Sequence, residues 1–360
     1  MINNNKQKIV VVGMSGGVDS SVAALLLKQK GYKVYGLHMK GENKETKDAD
    51  EKRVKELCEQ LGIECVVVDY TDHMQIVKDY FVNEYKKGRT PNPCVVCNRE
   101  VKFKPFLEYA SKLNADYFAT GHYAGVIHDC DNHYLVKAKD QGKDQTYFLC
   151  QLSKEQISKV LFPLGELTKE EVRKIAEENN LISKDTKDSY DICFLGSEKF
   201  KDFMNKNYPE KAGDIIDEKT GNIVGKHTGI SKYTIGQRRG LGIGGSKTGT
   251  GESWFVTKKD VLNNVIFVTQ GNGEELYSKG LIAPNVNWLL EPKSNEFKCL
   301  AKFRYRQEEQ DVTVIVNNDK IVKVSFNKPQ KAVTIGQYVV FYDKDICLGG
   351  GVIDKILKEI

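Results

Sequence analysis

The nine residues Gly13-Met14-Ser15-Gly16-Gly17-Val18-Asp19-Ser20-Ser21 decide the fold, and they directly follow the apolar run 9–12. A short β-branched run predicts a buried strand, and residues 20–30 predict a helix that ends at Gly31. A strand, a glycine turn and a helix N-terminus form an anion site, because backbone N–H groups and the positive end of the helix dipole face one pocket. A P-loop would need a lysine before the final Ser/Thr, and this motif has none. The motif therefore predicts a phosphate-binding turn that is not a P-loop.

The first half of the chain alternates between predicted strands and helices. Strands are predicted at 33–38, 64–69 and 116–120, and helices at 49–61 and 103–113. This alternation is typical of a parallel sheet flanked by helices. The ligand crevice of such a sheet lies at the C-terminal ends of the strands, where we expect Ser15, Met39 and Gly121 to converge.

The pattern changes from about Gly213 onward. Short strands broken by Gly, Asn and Asp turns are predicted at 233–235, 254–257, 265–269 and 312–316, which favours one or two small β domains or barrels. We predict three domains, at residues 1–205, 206–276 and 277–360, and a mobile loop at 246–251.

Composition limits the class of protein. The 360 residues are 40% hydrophobic and 29% charged, as in soluble globular proteins. There is no apolar run of the ~18 residues that a membrane span requires, and residues 1–6 lack the apolar core of a signal peptide. Nine cysteines, an odd number, indicate reduced thiols and a cytoplasmic location rather than a disulfide scaffold. The net charge of +5 permits a nucleic-acid partner but does not require one.

Cys94, Cys97 and Cys193 are the cysteines whose context suggests chemistry. Prolines at 91 and 93 predict that residues 91–98 form an exposed loop, and Cys193 precedes a turn at Gly196. A Cys-x-x-Cys pair alone is compatible with half a zinc site, a redox pair or iron–sulfur ligands. The zinc interpretation is weak, because no second pair follows at zinc-finger spacing. We expect the others to be inert: buried for Cys58, Cys65, Cys150, Cys299 and Cys347, and beside acidic residues for Cys130.

Several motifs, taken together and in order, resemble the bacterial tRNA-specific 2-thiouridylase family, whose nucleotide domain is of the PP-loop ATP pyrophosphatase type. They are the opening motif and residues 90–93, 97–103, 119–123, 143–149, 191–196, 233–242 and 304–306. The resemblance covers nearly the whole chain. It implies an α/β fold in which a PP-loop (adenine nucleotide α-hydrolase-like) parallel-sheet domain precedes two small β-rich domains.

The resemblance also implies an activity: ATP-dependent 2-thiolation of the wobble uridine in tRNAs for Lys, Glu and Gln. ATP would adenylate the C2 oxygen, and sulfur from a donor protein or sulfide would then attack C2. It implies that ATP is bound by Gly13, Met14, Ser15, Gly16, Gly17, Val18, Asp19, Ser20, Met39 and Gly121. Cys97 corresponds to the nucleophile and Cys193 to the thiol that receives persulfide sulfur. Asp19 is also expected to bind Mg²⁺, because a hard cation prefers carboxylate and phosphate oxygens.

Contacts with tRNA are likewise implied by the resemblance. Asn92, Pro93 and Cys94 align with a loop that touches the target base. The other aligned positions are His122, Lys143, Asp144, Gln145, Arg304, Tyr305 and Gln337. Arg238 and Arg239 lie in a motif without an assigned role, and a solvated surface explains them equally well.

Cys94 is a departure from the family pattern, since many members have Asp at this position. The extra thiol favours a [4Fe–4S] cluster on Cys94, Cys97 and Cys193 over a persulfide relay through Cys97 and Cys193 alone. Two other functions remain open: a PP-loop ATP-dependent amide synthetase acting on a small molecule, and a non-catalytic RNA-binding or metal-scaffold protein.

Overall fold

The computed structural model describes residues 7–40, 47–69, 71–130, 132–186, 192–196, 198–243, 251–317 and 320–359. These residues form two compact units. Unit 1 contains residues 1–77, 94–196 and 343–348. Unit 2 contains residues 78–93, 197–342 and 349–360.

Unit 1 is built on a parallel sheet with the strand order β3-β2-β1-β4-β7. Its strands are β1 (Ile9–Gly13), β2 (Lys33–Lys40), β3 (Glu64–Asp69), β4 (Tyr117–Ala119), β7 (Val160–Leu161) and the separate hairpin β5 (Gly125–Asp129) and β6 (Asn132–Val136). Its helices are α1 (Val18–Gln29), α2 (Lys47–Leu61), α3 (Thr71–Lys86), α4 (Pro93–Val96), α5 (Lys104–Lys112), α6 (Thr146–Leu149), α7 (Lys154–Lys159) and α8 (Lys169–Glu178). Helix α3 continues into unit 2. The parallel sheet expected from the sequence is confirmed.

The core of unit 1 lies around β1, whose central residues Val10, Val11 and Val12 are almost completely buried. Apolar side chains of α1, α2 and α8 cover the sheet, as predicted for a parallel sheet that is buried on its faces. Because β1, β2 and β4 run parallel and side by side, their C-terminal ends meet at one edge. That edge carries the opening motif, Met39 and Gly121.

Unit 2 is rich in antiparallel β structure. A small sheet has the order β10-β11-β8-β9, and a second sheet includes the order β19-β12-β16-β15-β14-β17. The strands are β8 (Gly213–Asp217), β9 (Ile223–His227), β10 (Trp254–Asp260), β11 (Val265–Gln270), β12 (Tyr277–Pro284), β13 (Asn287–Trp288), β14 (Glu296–Lys302), β15 (Gln310–Val316), β16 (Ile321–Lys331), β17 (Tyr338–Asp343), β18 (Ile346–Val352) and β19 (Lys355–Leu357). Helix α9 (Phe200–Asn207) joins the end of α3 through contacts of Phe200 and Phe203 with Phe81. The β-rich second half is therefore confirmed.

Two local predictions are wrong. Residues 91–98 are not a loop: α4 begins at Pro93, where a proline costs nothing because the first helical N–H has no intrahelical partner. A π-helical turn then runs from Cys97 to Phe103. Residues 233–235 are not a strand but follow a 3₁₀ turn (Ile230–Lys232), and the side chain of Tyr233 packs in the small-sheet core instead.

Some sequence predictions lie outside the described residues. They concern the N-terminal residues 1–6, Asp191 of the Cys193 motif, and residues 246–250 of the loop that we predicted to be mobile. Among the helices that the structure does describe, none is long and apolar enough to cross a bilayer.

Candidate active site

The opening motif folds as a tight turn between β1 and α1. Gly16 adopts φ +82°, a left-handed conformation that favours glycine. The hydroxyl of Ser20 donates to the Gly17 carbonyl (3.1 Å) and accepts from the Ser15 backbone N–H (3.2 Å). The turn thus holds its own shape before any ligand binds, with serine hydroxyls at the N-terminus of a 12-residue helix. A preformed turn of this kind is suited to bind an anionic phosphate.

Two neighbouring segments complete this edge of the sheet. The Met14 N–H donates to the Leu37 carbonyl (2.8 Å), which sets the turn beside the end of β2, where Met39 lies. Gly121 follows β4, and a Cβ there would lie 2.7 Å from the carbonyl carbon of Asp19 and 2.8 Å from the backbone N of Ser20. A glycine is therefore required for the two backbones to meet. The convergence of Ser15, Met39 and Gly121 follows from the strand order.

Asp19 lies in the first turn of α1, and its carboxylate is fully engaged. The Lys169 ammonium donates to both carboxylate oxygens (2.7 and 2.9 Å), and the Tyr123 hydroxyl donates to Oδ1 (2.9 Å). Lys169 is the first residue of α8, whose capping box of Thr168 and Glu171 fixes the start of the helix. Lys169 neutralises this carboxylate in the structure, so Mg²⁺ would share its oxygens with the lysine or displace it, and the Mg²⁺ role of Asp19 stays a prediction.

The three cysteines singled out by the sequence come together in unit 1. The Cys97 thiol donates a hydrogen bond to the sulfur of Cys193, and the Cys94 thiol lies close enough for their charges to interact. Cys94 lies on α4, Cys97 begins the π-helical turn, and Cys193 begins a 3₁₀ turn (Cys193–Leu195). Three separate elements thus bring their sulfur atoms into one region of unit 1.

The hydrogen bond divides the roles of two of these thiols. Cys97 donates this hydrogen bond to Cys193, and the bond, together with burial, raises the pKa of Cys97, so Cys97 stays protonated. The same bond lowers the pKa of Cys193, helped by the Lys102 ammonium and by backbone N–H groups of residues 193 and 194, although burial opposes it. Burial raises the pKa of Cys94. Cys193 is therefore the sulfur that ionises first.

Lys102 and His122 line the same point. Burial lowers the pKa of Lys102, but the negative charge on the sulfur atoms of Cys97, Cys193 and Cys94 raises it, and the net direction is upward. Burial and the nearby Lys102 charge lower the pKa of His122 well below its usual range, so this imidazole is neutral. His122 Nδ1 shares a hydrogen bond with the Thr120 hydroxyl (2.7 Å), and its ring lies near Phe103 and Phe162.

The three thiols are the residues on which the sequence predicted a [4Fe–4S] cluster. Three thiols are the right kind of ligand for such a cluster. In the structure, which carries no cluster, Cys97 and Cys193 hydrogen-bond to each other. Within the described part of the chain, no group of three His, Cys, Asp or Glu side chains is arranged to hold a metal ion. The proximity of the three thiols is compatible with a sulfur relay, and the cluster stays a prediction.

The segment 143–145, expected to contact tRNA, turns two of its three side chains inward. Asp144 is buried, and its carboxylate accepts from the Ala138 N–H (3.0 Å) and from the Thr146 hydroxyl (2.7 Å). The Gln145 side chain accepts from the Tyr123 N–H (2.9 Å). These two side chains therefore shape the loop, and a contact of this segment with RNA would come from Lys143 or the backbone.

Two residues of unit 2 that were expected to contact tRNA, Arg304 and Gln337, also form hydrogen bonds within the protein. Nη2 of Arg304 donates to the carbonyls of Ile235 (3.1 Å) and Ala332, and to the Thr334 hydroxyl (2.7 Å). Nε2 of Gln337 donates to the carbonyls of Thr90 (2.9 Å) and Pro91 (3.3 Å), and so holds the segment that leads to the buried Asn92 and to Pro93. Both side chains therefore have structural partners within their own unit.

A basic groove in unit 2 offers cationic groups for a polyanion. Its volume is about 310 Å³, and its lining residues are Phe303, Arg304, Arg306, Gln307, Lys331 and Val333. Arg306 is exposed, and among the described residues its guanidinium has no hydrogen-bond or ion-pair partner. Tyr305 lies between the two arginines in the chain. Arg238 and Arg239 are exposed on a turn.

Sequence reasoning missed three residues of this site and misjudged a fourth. No local signal in the sequence around Lys102, Tyr123 and Lys169 shows which group each one meets. Cys65 was expected to be inert. The Cys58 thiol donates a hydrogen bond to it, and this bond and the Lys55 charge lower the pKa of Cys65 to about 7, although burial opposes the shift. Tyr123, Lys169 and Cys65 each meet a partner on a different element.

Comparisons with known proteins agree along the whole chain. A family model described as "tRNA methyl transferase HUP domain" matches residues 8–197, "tRNA methyl transferase PRC-barrel domain" matches 201–270, and "Aminomethyltransferase beta-barrel domain" matches 278–353. The tRNA-specific 2-thiouridylase MnmA of Alkaliphilus oremlandii is 51% identical over 362 residues, covering 98% of this chain and 99% of the relative. MnmA 1 of Geobacillus kaustophilus is also 51% identical, with coverage of 98% and 97%.

A solved structure gives a more distant match. The U34-tRNA thiolase NcsA from Methanococcus maripaludis, described with its [4Fe–4S] cluster, is 22% identical, with a TM-score of 0.35. The match covers 57% of this chain and 67% of that protein.

Proposed function

This chain belongs to the family of tRNA-specific 2-thiouridylases, and on that premise we propose that it catalyses the ATP-dependent 2-thiolation of the wobble uridine of tRNAs for Lys, Glu and Gln. ATP adenylates the C2 oxygen of the uridine and releases pyrophosphate. Sulfur then attacks C2, and AMP leaves with the oxygen. We assign the reaction to the cytoplasm, where thiols remain reduced.

The turn between β1 and α1 supports the ATP half of this proposal. We assign the phosphates of ATP to residues 13–20 and the rest of the nucleotide to the edge that carries Met39 and Gly121. The Lys169 ammonium, held at the start of α8 by Asp19, lies beside the same turn and can neutralise phosphate charge. Because both oxygens of Asp19 are engaged, no step in this proposal depends on Mg²⁺ at Asp19.

The hydrogen-bonded pair of Cys97 and Cys193 is the observation that carries the sulfur half. The Cys193 thiolate attacks the outer sulfur of a donor persulfide, so that the donor S–S bond breaks and the donor leaves as a thiol. The terminal sulfur of the Cys193 persulfide then forms the bond to C2 as AMP departs. Finally Cys97 loses its proton and attacks the Cys193 sulfur, which frees the thiouridine and leaves a Cys97–Cys193 disulfide. A thiol reductant restores both cysteines.

Cys94 distinguishes this relay from the cluster mechanism that the sequence favoured. The relay uses two sulfur atoms, whereas a [4Fe–4S] site needs all three thiolates. The contact between Cys97 and Cys193 supports the relay, because sulfur atoms that exchange a bond must meet directly. Cys94 then serves as a buried neighbour of the pair.

The test is thiolation of unmodified tRNA by iron-free protein supplied with ATP and a persulfide donor. We expect 2-thiouridine to form, with release of AMP and pyrophosphate that depends on tRNA. Cys94→Ser should keep most of the activity, whereas Cys97→Ser and Cys193→Ser should lose it by at least 10²-fold. Activity that appears only after anaerobic reconstitution with iron and sulfide, and that Cys94→Ser abolishes, would replace the relay by the cluster. Release of AMP without tRNA would instead point to a small-molecule ligase.

A further inference from the structure

We propose that Arg53 is a phosphate-binding residue of the nucleotide site: its guanidinium, which helix α2 holds against Gly16, donates to the phosphate chain of ATP. This role rests on the ATP-dependent activity proposed above and adds a side chain to its binding site. Two features of Arg53 carry it: the guanidinium lies beside the turn between β1 and α1, and one of its buried donors is not used by the protein.

The core-facing side of α2 fixes the position of Arg53. The buried residues of this helix are spaced three and four apart, as on one helix face. They are Val54, Leu57, Cys58 and Leu61. A Cβ at Gly16 would lie 3.4 Å from Cγ2 of Val54, so the same face packs directly against the glycine turn. Because Arg53 precedes Val54, the packing of α2 brings it to the turn as well.

The Arg53 side chain itself contacts the turn. A Cβ at Gly16 would lie 3.1 Å from Nε of Arg53 and 3.8 Å from its Cδ. Gly16 is one of the residues to which we assign the phosphates of ATP. The inner end of the guanidinium therefore lies within van der Waals reach of the backbone that would surround those phosphates.

One donor of this guanidinium is left over. Nη2 of Arg53 donates to Oδ1 of Asp50, which lies three residues earlier on the same helix. Nε, in contrast, is shielded from solvent and has no hydrogen-bond partner among the described residues. A buried donor without an acceptor costs free energy, and such atoms are rare in folded proteins. An oxygen atom of a ligand bound in the neighbouring turn would supply the missing acceptor.

Phosphate oxygens are the acceptors that suit an arginine. The planar guanidinium can donate two parallel hydrogen bonds to one phosphate group, and it stays charged at physiological pH. The N-terminus of α1 offers the phosphates only a partial positive charge. Arg53 from α2 and Lys169 from α8 add two full charges from two different helices. Asp50 holds the arginine in place through Nη2 and leaves Nε for the ligand.

The experiment measures the binding of ATP and of adenosine by calorimetry in the absence of tRNA. Arg53→Gln should weaken ATP binding by about tenfold or more, because it removes charged hydrogen bonds to phosphate. The same variant should bind adenosine, which has no phosphates, as the wild-type protein does. Arg53→Lys should fall between the two, since it keeps the charge but loses the planar fork. The matched control is Lys52→Gln, which removes an exposed lysine from the neighbouring position and should change neither affinity.

Asp50→Asn separates a contact with the ligand from a purely structural role. It removes the ion pair on α2 but keeps the guanidinium, so ATP should bind at least as tightly as it does to the wild-type protein. Normal ATP binding by Arg53→Gln would overturn the assignment. An equal loss in Asp50→Asn and Arg53→Gln, or an equal loss for adenosine and ATP, would overturn it too, because the ion pair would then only hold α2 in place.

Chemical labelling covers the case in which Arg53→Gln does not fold. Phenylglyoxal modifies accessible arginines, and the side chain of Arg53 is 38% exposed in the wild-type protein. ATP should protect Arg53 from the reagent and adenosine should not, while the exposed Arg238 and Arg239 react equally in all samples. Wild-type protein that binds no ATP would overturn the proposed function together with this role. Normal ATP binding that leaves Arg53 unprotected would overturn the role of Arg53 alone.

Discussion

At the scale of single residues, side chains that look exposed and reactive in the sequence have partners in the structure. Asp19 is the clearest case, because a carboxylate in a phosphate-binding turn suggests a metal ligand. Instead it forms an ion pair with Lys169, which lies 150 residues further along the chain. The pair is partly shielded, with 11% of the Lys169 side chain and 35% of the Asp19 side chain exposed. A charge left alone at such a position lacks both its partner and full hydration.

We therefore predict that Asp19 and Lys169 depend on each other energetically. Asp19→Asn and Lys169→Met should each lower the free energy of unfolding by about 1–3 kcal/mol, because each strands the other charge. The double variant should lose less than the sum, with a coupling of roughly 1 kcal/mol or more. Urea unfolding of the four proteins measures this. Additive losses would mean that the ion pair does not form in solution, and the Asp19 carboxylate would then be free to bind Mg²⁺.

At the scale of elements, the site depends on close approaches between backbone segments. The segment after β4 lies against the first turn of α1, and Gly121 is the point of contact. A π-helical turn widens the helical stretch at Cys97. The capping box of α8 holds Lys169 at the first helical position. Each device orients a functional side chain without contacting the substrate itself.

Gly121→Ala tests the first of these devices. The new methyl group would meet the backbone of Asp19 and Ser20 at 2.7 and 2.8 Å, so α1 or the segment after β4 must move. We expect a loss of about 1–3 kcal/mol in the free energy of unfolding, and at least tenfold weaker ATP binding by calorimetry. Gly142→Ala is the control, since its nearest atom would be the Asp140 Oδ1 at 3.4 Å. Equal ATP affinity in both variants would mean that this approach does not shape the nucleotide site.

At the scale of the whole molecule, the chain carries a net charge of +5 and is proposed to bind a polyanion. Association of this kind weakens steeply with salt, because cationic side chains release counterions from the phosphates. The structure separates the arginines that can take part from those that cannot. Arg304 is engaged with three oxygen acceptors, whereas the neighbouring Arg306 is exposed at the basic groove.

The two arginines should therefore respond differently to substitution. Arg306→Ala should weaken tRNA binding and reduce the slope of log K against log salt by about 1, with no change in thermal stability. Arg304→Ala should lower the free energy of unfolding by about 1–3 kcal/mol, because it removes three hydrogen bonds, including the one to the partly buried Ile235 carbonyl. Filter binding at several salt concentrations and thermal melts measure both effects. An Arg306→Ala protein with the wild-type salt slope would exclude the groove from the tRNA interface.

The sequence by itself determined the fold class and the family, because those depend on local signals. The β-branched run before Gly13, the glycine turn and the alternation of strands and helices each arise from a few neighbouring residues. The same holds for the cysteines that merited attention. Two local signals misled: Pro93, which blocks a helix in its interior but is tolerated at its start, and the apolar run 233–235, which is not a strand.

Only the tertiary structure decided which groups meet. The hydrogen bond between Cys97 and Cys193, the ion pair between Asp19 and Lys169, and the internal partners of Arg304 all join residues that different elements bring together. Such contacts depend on strand order, on helix starts and on one wide helical turn, and none of these changes the local pattern of the participating residues. Whether a carboxylate binds a metal or a lysine, and which thiol ionises, is set by those neighbours and by burial.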